Sequence, residues 1–241
     1  MTGERVRIAL VLPDLLGTYG DRGNAIVLAQ RLRWRGIGSE LVTVLSSDDA
    51  VPEDCDLYLI GGGEDVAQVA AVRFLRRGGG LARAVQHGVP VLGICGGLQV
   101  LGTSFVTGDG QRHEGLGLVD ATTEPGKGRA IGEVTTQSTL GGVGMLTGFE
   151  NHLGRTTLGP GSHALGRVVR GTGNGHDEAE GAVTGHVICT YMHGPVLARN
   201  PKLADLLLEW AIGEPLAPLP DPPELKALRT ERTRVHVRNR K

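Results

Sequence analysis

A cysteine set between glycines is the residue in this chain whose surroundings point most directly to chemistry. Cys95 follows the apolar run Val91–Ile94, has Gly93 and Gly97 on either side, and stands directly before a second apolar run. A strand that turns sharply into a helix at such a residue holds the side chain out of the sheet, as in a nucleophile elbow. The amino end of the helix favours the thiolate, and amides at the turn could stabilise an oxyanion. A lone cysteine is often only a small packing residue, but the flanking glycines favour a nucleophile.

A cysteine nucleophile needs an imidazole that takes its proton and passes it to a leaving group. Of the eight histidines, His193 is the best placed, because it ends the apolar run Val187–Met192 and precedes a Gly194-Pro195 turn. Reacting groups in an open parallel sheet gather at the carboxyl ends of the strands. The alternative for His193 is a capping or packed residue. Taken with Cys95, it predicts a Cys-His site.

The first half of the sequence predicts the parallel sheet that would position these residues. Short apolar runs alternate with longer helical patterns, which is typical of βαβ units covered on both faces. The predicted strands are Val6–Leu12, Leu41–Leu45, Asp56–Ile60 and Val89–Ile94, and the predicted helices are Asn24–Arg35 and Val66–His87, the latter broken near Gly78–Gly80.

The second half predicts more antiparallel pairing. Its predicted strands are Ile131–Thr136, Gly144–Phe149 and Ala182–Tyr191, followed by a helix over Leu197–Ile212. We therefore expect one domain over residues 1–213. Residues 214–241 would form a tail in which prolines forbid regular structure and a strongly basic stretch follows, either as a solvated tail or as a docking arm.

Composition excludes several function classes. The 241 residues carry 25 basic and 26 acidic side chains, so a polybasic surface for nucleic acid or membrane is ruled out. With 3 Phe, 2 Trp and 3 Tyr, stacking platforms for bases are not expected. Three widely spaced cysteines suggest neither a disulfide framework nor a zinc cage. No signal peptide or long apolar stretch is visible, which predicts a soluble cytoplasmic protein that is not an integral membrane protein.

The motifs resemble those of the class I, triad-type glutamine amidotransferases over roughly residues 5 to 212. Gly93–Gln99 is similar to the family's nucleophile motif, and Gly61–Gly63 to its oxyanion-strand turn. In that family Glu usually follows the histidine by two residues, where this chain has Pro195. The His-Gly-Pro form resembles the cobyric acid synthase-like branch. The resemblance implies a three-layer, flavodoxin-like α/β fold with a mostly parallel central sheet, helices on both faces and extra antiparallel strands.

The resemblance also implies the chemistry. The thiolate of Cys95 would attack the side-chain amide of glutamine, and amides of Gly62 or Gly63 and of Gly96 would hold the oxyanion. His193 would protonate the departing ammonia and then activate the water that releases glutamate. No metal is implied at this site.

Two further residues are candidates for substrate binding. By resemblance, Gln99 contacts the substrate and Arg129 lies near glutamine, where a guanidinium fork suits an α-carboxylate. Gln99 could instead be a polar residue on a packed helix, and Arg129 a surface arginine. In the loop Tyr19–Asn24, Asp21 and Asn24 could contact glutamine or a partner, or could simply cap the next helix.

Three segments are similar to the GatD family, the glutaminase subunits of lipid II isoglutaminyl synthase: Tyr19–Asn24, Gly148–Thr156 and Tyr191–Pro195. This resemblance implies a heterodimer with the Mur-ligase-like MurT, which would amidate the D-glutamate α-carboxylate of lipid II in peptidoglycan synthesis at the inner face of the membrane. Gly61–Glu64 is not a P-loop, so we expect no cofactor in this chain and place ATP and Mg²⁺ on the partner.

Pro195 leaves open what orients the histidine. The pair could work alone, or an acidic residue of the partner could complete the site on docking. Three other functions compete with the glutaminase of lipid II amidation: an amidotransferase for a cobyrinic-acid-type ligase, a cysteine peptidase or hydrolase, and a catalytically silent binding subunit.

Overall fold

This computed structural model describes residues 5–17, 20–175 and 177–238. Twelve strands and seven helices lie within these parts of the chain. Tyr19 of the predicted glutamine- or partner-contacting loop lies outside them. The strands are β1 (Val6–Val11), β2 (Ser39–Val44), β3 (Leu57–Ile60), β4 (Val91–Ile94), β5 (Ser104–Val106), β6 (Arg112–Glu114), β7 (Ala121–Ser138), β8 (Met145–Leu158), β9 (Gly166–Arg170), β10 (Ala179–Glu180), β11 (Ala182–Thr184) and β12 (Val187–Thr190). The helices are α1 (Arg22–Trp34), α2 (Asp65–Leu75), α3 (Gly80–Gln86), α4 (Gly96–Leu101), α5 (Val196–Arg199), α6 (Pro201–Ile212) and α7 (Pro223–Arg238).

The first sheet has the strand order β11-β12-β4-β3-β1-β2, and all its pairs are parallel except β11 with β12. Its middle strands β3, β4 and β12 are buried along their whole length, which is why they read as continuous apolar runs. The carboxyl ends of β1, β3, β4 and β12 therefore meet at one edge. The predicted fold class is confirmed.

The second sheet has the order β10-β9-β7-β5-β6, with β8 paired antiparallel to β7. The long β7–β8 hairpin contains a register shift between Pro125 and Ala130. Buried apolar residues of both sheets, such as Ile8, Leu92, Val134 and Leu146, belong to one continuous cluster. The antiparallel character expected of the second half is present.

Two predicted elements are divided in the structure. The run Ala182–Tyr191 is a hairpin of β11 and β12, because Gly185 turns the chain with φ of 55°. The helix predicted over Leu197–Ile212 is two helices, α5 and α6, since Pro201 cannot continue a helix from α5 but fits the first turn of α6.

The basic tail contains a helix. The proline-rich stretch before it is irregular, but α7 starts at Pro223, a residue suited to a first helical turn. The guanidinium of Arg229 fixes this helix to the domain by donating to the carbonyls of Met145 and Arg199, at 2.8 and 2.6 Å, and to Oδ1 of Asn200 at 3.1 Å. The described part of the tail is thus docked on its own domain. No helix within residues 5–17, 20–175 and 177–238 has the length and apolar character needed to cross a bilayer.

Candidate active site

Cys95 occupies a strained turn between β4 and α4. Its φ of 51° and ψ of −101° are rare for a residue with a side chain, and such strain is typical of functional sites. The turn needs small neighbours: a Cβ on Gly97 would lie 2.7 Å from the carbonyl oxygen of Ile60, and one on Gly93 would lie 2.8 Å from Leu101 Cδ1. The structure therefore has the elbow geometry that the glycines predict.

Burial keeps the thiol of Cys95 protonated. It raises the pKa of Cys95 to about 12, and the negative charge of Asp21 adds to this rise, while the Gly96 amide and the Arg129 guanidinium oppose it. The direction is opposite to the one expected from the helix end, because α4 has only six residues and the sulfur is withdrawn from water. A thiol in this state can act as a nucleophile only if a base takes its proton.

His193 lies beside this thiol. It follows β12, and its backbone pairs with Phe149 of β8 through two hydrogen bonds of 2.8 and 3.2 Å. A Cβ built on Gly62 would lie 3.3 Å from His193 Cε1 and 3.4 Å from Cys95 Cβ. The structure thus brings the two predicted catalytic side chains together across Gly62.

A buried carboxylate, that of Asp21, lies near Nδ1 of the imidazole. Asp21 Oδ1 lies 3.9 Å from His193 Nδ1, and both side chains are 4% exposed. Asp21 Oδ2 accepts a 2.8 Å hydrogen bond from the Gly62 amide. Asp21 does not cap α1 with its side chain, so the capping alternative is wrong for this residue. Its signal in the sequence was its position after β1, at the same sheet edge as Cys95.

Asn24 likewise does not cap α1; instead it joins the first loop to the segment after His193. Its Oδ1 accepts a 3.0 Å hydrogen bond from the Leu197 amide. A Cβ on Gly23 would lie 2.2 Å from Pro195 Cγ, so the two backbones pack in direct contact. Pro195, at the position where the amidotransferase pattern has Glu, serves as the packing surface for Gly23.

The three expected oxyanion donors differ in what surrounds them. The Gly62 amide already donates to Asp21. Gly63 and Gly96 pack against each other, since a Cβ on Gly96 would lie 2.9 Å from the Gly63 nitrogen. The Gly96 amide also hydrogen-bonds the sulfur of Cys95, which lowers the pKa of the thiol. Both Gly62 and Gly96 thus already have an acceptor, Asp21 and the Cys95 sulfur, while Gly63 lines the cavity beside Cys95.

A cavity opens from Cys95 toward the β7–β8 hairpin. Gln99 lies beside it on α4, and Arg129 stands on the opposite wall, where its Nε donates to Asn151 Oδ1 at 2.9 Å. The structure brings Cys95, Gly63, Gln99 and Arg129 to this one cavity, whereas His193, Gly62 and Gly96 lie beside Cys95 and outside the lining. The remaining lining residues are Glu64, Asp65, Gln68, Val106, Gly108, Pro125, Asn151, His152, Leu153 and Gly154.

Comparison with known proteins identifies the family. Residues 7–201 match the sequence profile of the CobB/CobQ-like glutamine amidotransferase domain. The chain belongs to this family. The predicted enzyme class, a glutamine amidotransferase, is thereby confirmed.

Individual relatives differ in how much of their length this amidotransferase covers. It is 39% identical over 202 residues to the GatD subunit of lipid II isoglutaminyl synthase (glutamine-hydrolyzing) from Staphylococcus aureus, covering 83% of this chain and 82% of that protein. It is 37% identical over 227 residues to the cobyric acid synthase of Pelotomaculum thermopropionicum, covering 86% of this chain and 40% of that protein.

Solved structures support the fold. PurLQS from Thermotoga maritima matches with a TM-score of 0.56 and 13% identity, over 87% of this chain and 99% of that chain. A glutamine amidotransferase from the same organism matches with a TM-score of 0.51 and 17% identity, over 98% of this chain and 100% of that chain. At these identities the likeness concerns the fold alone.

A second histidine-carboxylate pair in this amidotransferase supports the cavity wall, and sequence reasoning gave it no role. His152 lines the cavity, and its ring stacks on Tyr191 with centroids 3.8 Å apart. His152 Nε2 lies 3.5 Å from Glu150 Oε2. Glu150 accepts hydrogen bonds from the amides of Thr172 and Gly173 at 2.8 and 2.9 Å. Although burial opposes it, His152 and these amides lower the pKa of Glu150, so its carboxylate joins β8 to the loop at Thr172 and Gly173.

The residues that line and flank the cavity can carry out acyl transfer to a thiol. Among the described residues, no group of three or more His, Cys, Asp or Glu side chains could hold a metal ion. What the site does contain is the buried thiol of Cys95, the imidazole of His193 beside Gly62, and the guanidinium of Arg129 in the cavity wall. This set matches the reaction of an amide with a thiol.

Proposed function

We propose that this amidotransferase is the glutaminase subunit of a lipid II isoglutaminyl synthase, which hydrolyses glutamine and passes ammonia to a Mur-ligase-like MurT partner. The observation that carries the proposal is the convergence of Cys95 and His193 on Gly62 at the end of a cavity that has Arg129 on its far wall. The 39% identity to a GatD subunit over 82% of its length supports the choice of pathway.

Glutamine binding begins at the far wall in this mechanism. The guanidinium of Arg129, oriented by Asn151, would bind the α-carboxylate as a fork. A Cβ on Gly154 would lie 2.8 Å from Gln99 Nε2, so the Gln99 side chain extends from α4 to the hairpin side of the cavity. There its amide would contact the substrate. The side-chain amide of glutamine then extends toward Cys95.

The chemical steps use Cys95 and His193. His193 takes the thiol proton while the sulfur attacks the amide carbon, and the amides of Gly63 and Gly96 would hold the oxyanion. His193 returns that proton to the nitrogen, the C–N bond breaks, and ammonia leaves a γ-glutamyl thioester on Cys95. A water molecule, whose proton goes to His193, then attacks the thioester carbonyl. The C–S bond breaks, the thiolate takes the proton back, and glutamate is released.

The acceptor of ammonia would be activated on the partner. Amidation of a carboxylate requires ATP and Mg²⁺, and we place both on MurT. The product would be D-isoglutamine in the stem peptide of lipid II, formed at the inner face of the cytoplasmic membrane.

Glutamate release from glutamine by the purified chain, with and without the candidate ligase, tests the proposal. Cys95→Ser and His193→Ala should abolish release, whereas Cys55→Ser and the exposed His186→Ala are matched controls that should keep it. Mass spectrometry of lipid II incubated with both subunits, ATP and glutamine should show one carboxylate converted to an amide. Activity that survives Cys95→Ser would contradict the mechanism.

The cobyric acid synthase relative, at 37% identity, supplies the second candidate. The same two-subunit assay with a corrinoid carboxylate as acceptor separates the two. Amidation of the corrinoid without amidation of lipid II would replace the proposed pathway and leave the glutaminase step intact.

A further inference from the structure

We propose that Asp21 is the residue that positions His193, so that the acid of this site comes from the loop after β1 of the same chain. The inference rests on the proposed glutaminase function and deepens it. It concerns the orientation of His193, because this chain has Pro195 at the position where the amidotransferase pattern has a glutamate.

The geometry gives Asp21 one oxygen for each of two tasks. Oδ2 is fixed by the Gly62 amide at 2.8 Å, while Oδ1 is buried, has no hydrogen-bond partner among the described residues and lies 3.9 Å from His193 Nδ1. A carboxylate withdrawn from water is costly unless a partner charge forms near it. An imidazolium formed during the reaction would be that charge. Catalytic hydrogen bonds are often long in the free enzyme and shorten once substrate is bound.

The surrounding contacts hold Asp21 at this distance. The turn that carries it is joined to the segment after His193 by the Asn24–Leu197 hydrogen bond and by the contact of Gly23 with Pro195. A Cβ on Gly61 would lie 1.9 Å from the Leu16 carbonyl oxygen and 2.9 Å from Asp21 Oδ2, so the turn after β3 also packs on this loop. The loop that packs against Pro195 through Gly23 therefore also carries the carboxylate of Asp21.

The role of Asp21 would be to select the tautomer. With Oδ1 accepting from Nδ1–H, the neutral imidazole carries no proton on Nε2, which can then take the thiol proton. In Asp21→Asn the amide oxygen can keep the Gly62 hydrogen bond, and the NH₂ group then faces Nδ1. That arrangement makes Nδ1 an acceptor and puts the proton on Nε2, the wrong tautomer for a base.

Four proteins test the inference by glutamate release: wild type, Asp21→Asn, Asp21→Ala and the control Asp14→Asn, which removes an exposed carboxylate from the same loop. Asp21→Asn should lower kcat about 10²-fold or more with little change in KM, because Asp21 does not line the glutamine cavity. Its loss should be at least as large as that of Asp21→Ala, which also loses the Gly62 anchor. Asp14→Asn should retain wild-type kcat.

A nitrogen-15 NMR spectrum of the imidazoles supplies a readout that a structural role would not move. The wild type should show His193 protonated at Nδ1 and Asp21→Asn should show it protonated at Nε2. Unchanged tautomers, or a kcat of Asp21→Asn close to wild type, would overturn the inference. So would recovery of Asp21→Asn to the wild-type rate on adding the ligase, since the acid would then come from the partner. If wild type itself releases no glutamate, the proposed function fails and the NMR comparison still decides the role of Asp21.

Discussion

Gly62→Ala should separate catalysis from folding in this protein. The new methyl group would lie 3.3 Å from His193 Cε1 and 3.4 Å from Cys95 Cβ, in contact with both side chains. These distances are slightly shorter than ordinary carbon contacts, so small shifts can relieve them at a cost of about 1 kcal/mol in unfolding free energy. The same shifts, a few tenths of an ångström, change the distance between the thiol and the imidazole. Since a displacement near 1 Å costs about 10²-fold in rate, we expect a loss in kcat of about 10-fold.

Two other glycine substitutions serve as comparisons for this variant. Gly61→Ala places its Cβ 1.9 Å from a backbone oxygen and should destabilise the fold itself, while Gly141→Ala meets nothing within 4 Å and should be neutral. The assays are glutamate release and thermal unfolding on all three variants. A Gly62→Ala enzyme with wild-type kcat would refute the reasoning, because Cys95 and His193 would then not need the space that Gly62 leaves between them.

Three more outcomes follow from burial and from the docked tail. Since burial raises the pKa of Cys95 to about 12, iodoacetamide labelling of its peptide should keep accelerating up to about pH 10; a plateau near pH 8 would contradict this. Burial likewise raises the pKa of Glu180 from 4.5 to about 7, so wild-type stability should fall as pH rises through that window. The Tm advantage of Glu180→Gln over wild type should grow there and level off above it, whereas parallel Tm curves would disprove the shift. Arg229→Ala should cost about 1–3 kcal/mol and expose α7 to protease, because carbonyls of the domain lose their donor; the exposed Lys226→Ala is its control.

The parallel sheet and the elbow were predictable because their signals are local. Strands such as β4 are buried on both faces, so their residues are apolar without interruption, and Gly93 and Gly97 mark the turn around Cys95. The class of fold and the pairing of Cys95 with His193 at one sheet edge needed only these runs and their order.

The second sheet was harder to predict because its pairing is set by tertiary contacts. β7 runs through Pro125, Gly126 and Gly128, which favour a loop when read alone, and its partner β8 holds the extended backbone on both sides of the register shift. β5, β6 and β10 have only two or three residues each, too few to show an alternating pattern.

The surroundings of His193 also exceeded what the sequence could specify. The position of Asp21 after β1 placed it at the correct edge, but its residue type fits a helix cap as well as a partner for an imidazole. The tertiary contacts of the loop, such as Gly23 with Pro195, decide between the two roles because they place Asp21 beside His193. Glu150 and His152 are two residues apart on one strand, and their pairing depends on the loop around Thr172 that holds the carboxylate.

The place of β12 in the sheet has a consequence for protein synthesis. This strand lies between β11 and β4 in the first sheet, although it is the last strand of the chain. The ribosome therefore completes Cys95 long before it makes β12 and the histidine that follows it. Until β12 pairs with β4, the nascent chain has a cysteine without its base. In the proposed mechanism, glutamine hydrolysis would thus begin only after β12 has paired with β4, and a chain truncated or stalled before that point would release no ammonia.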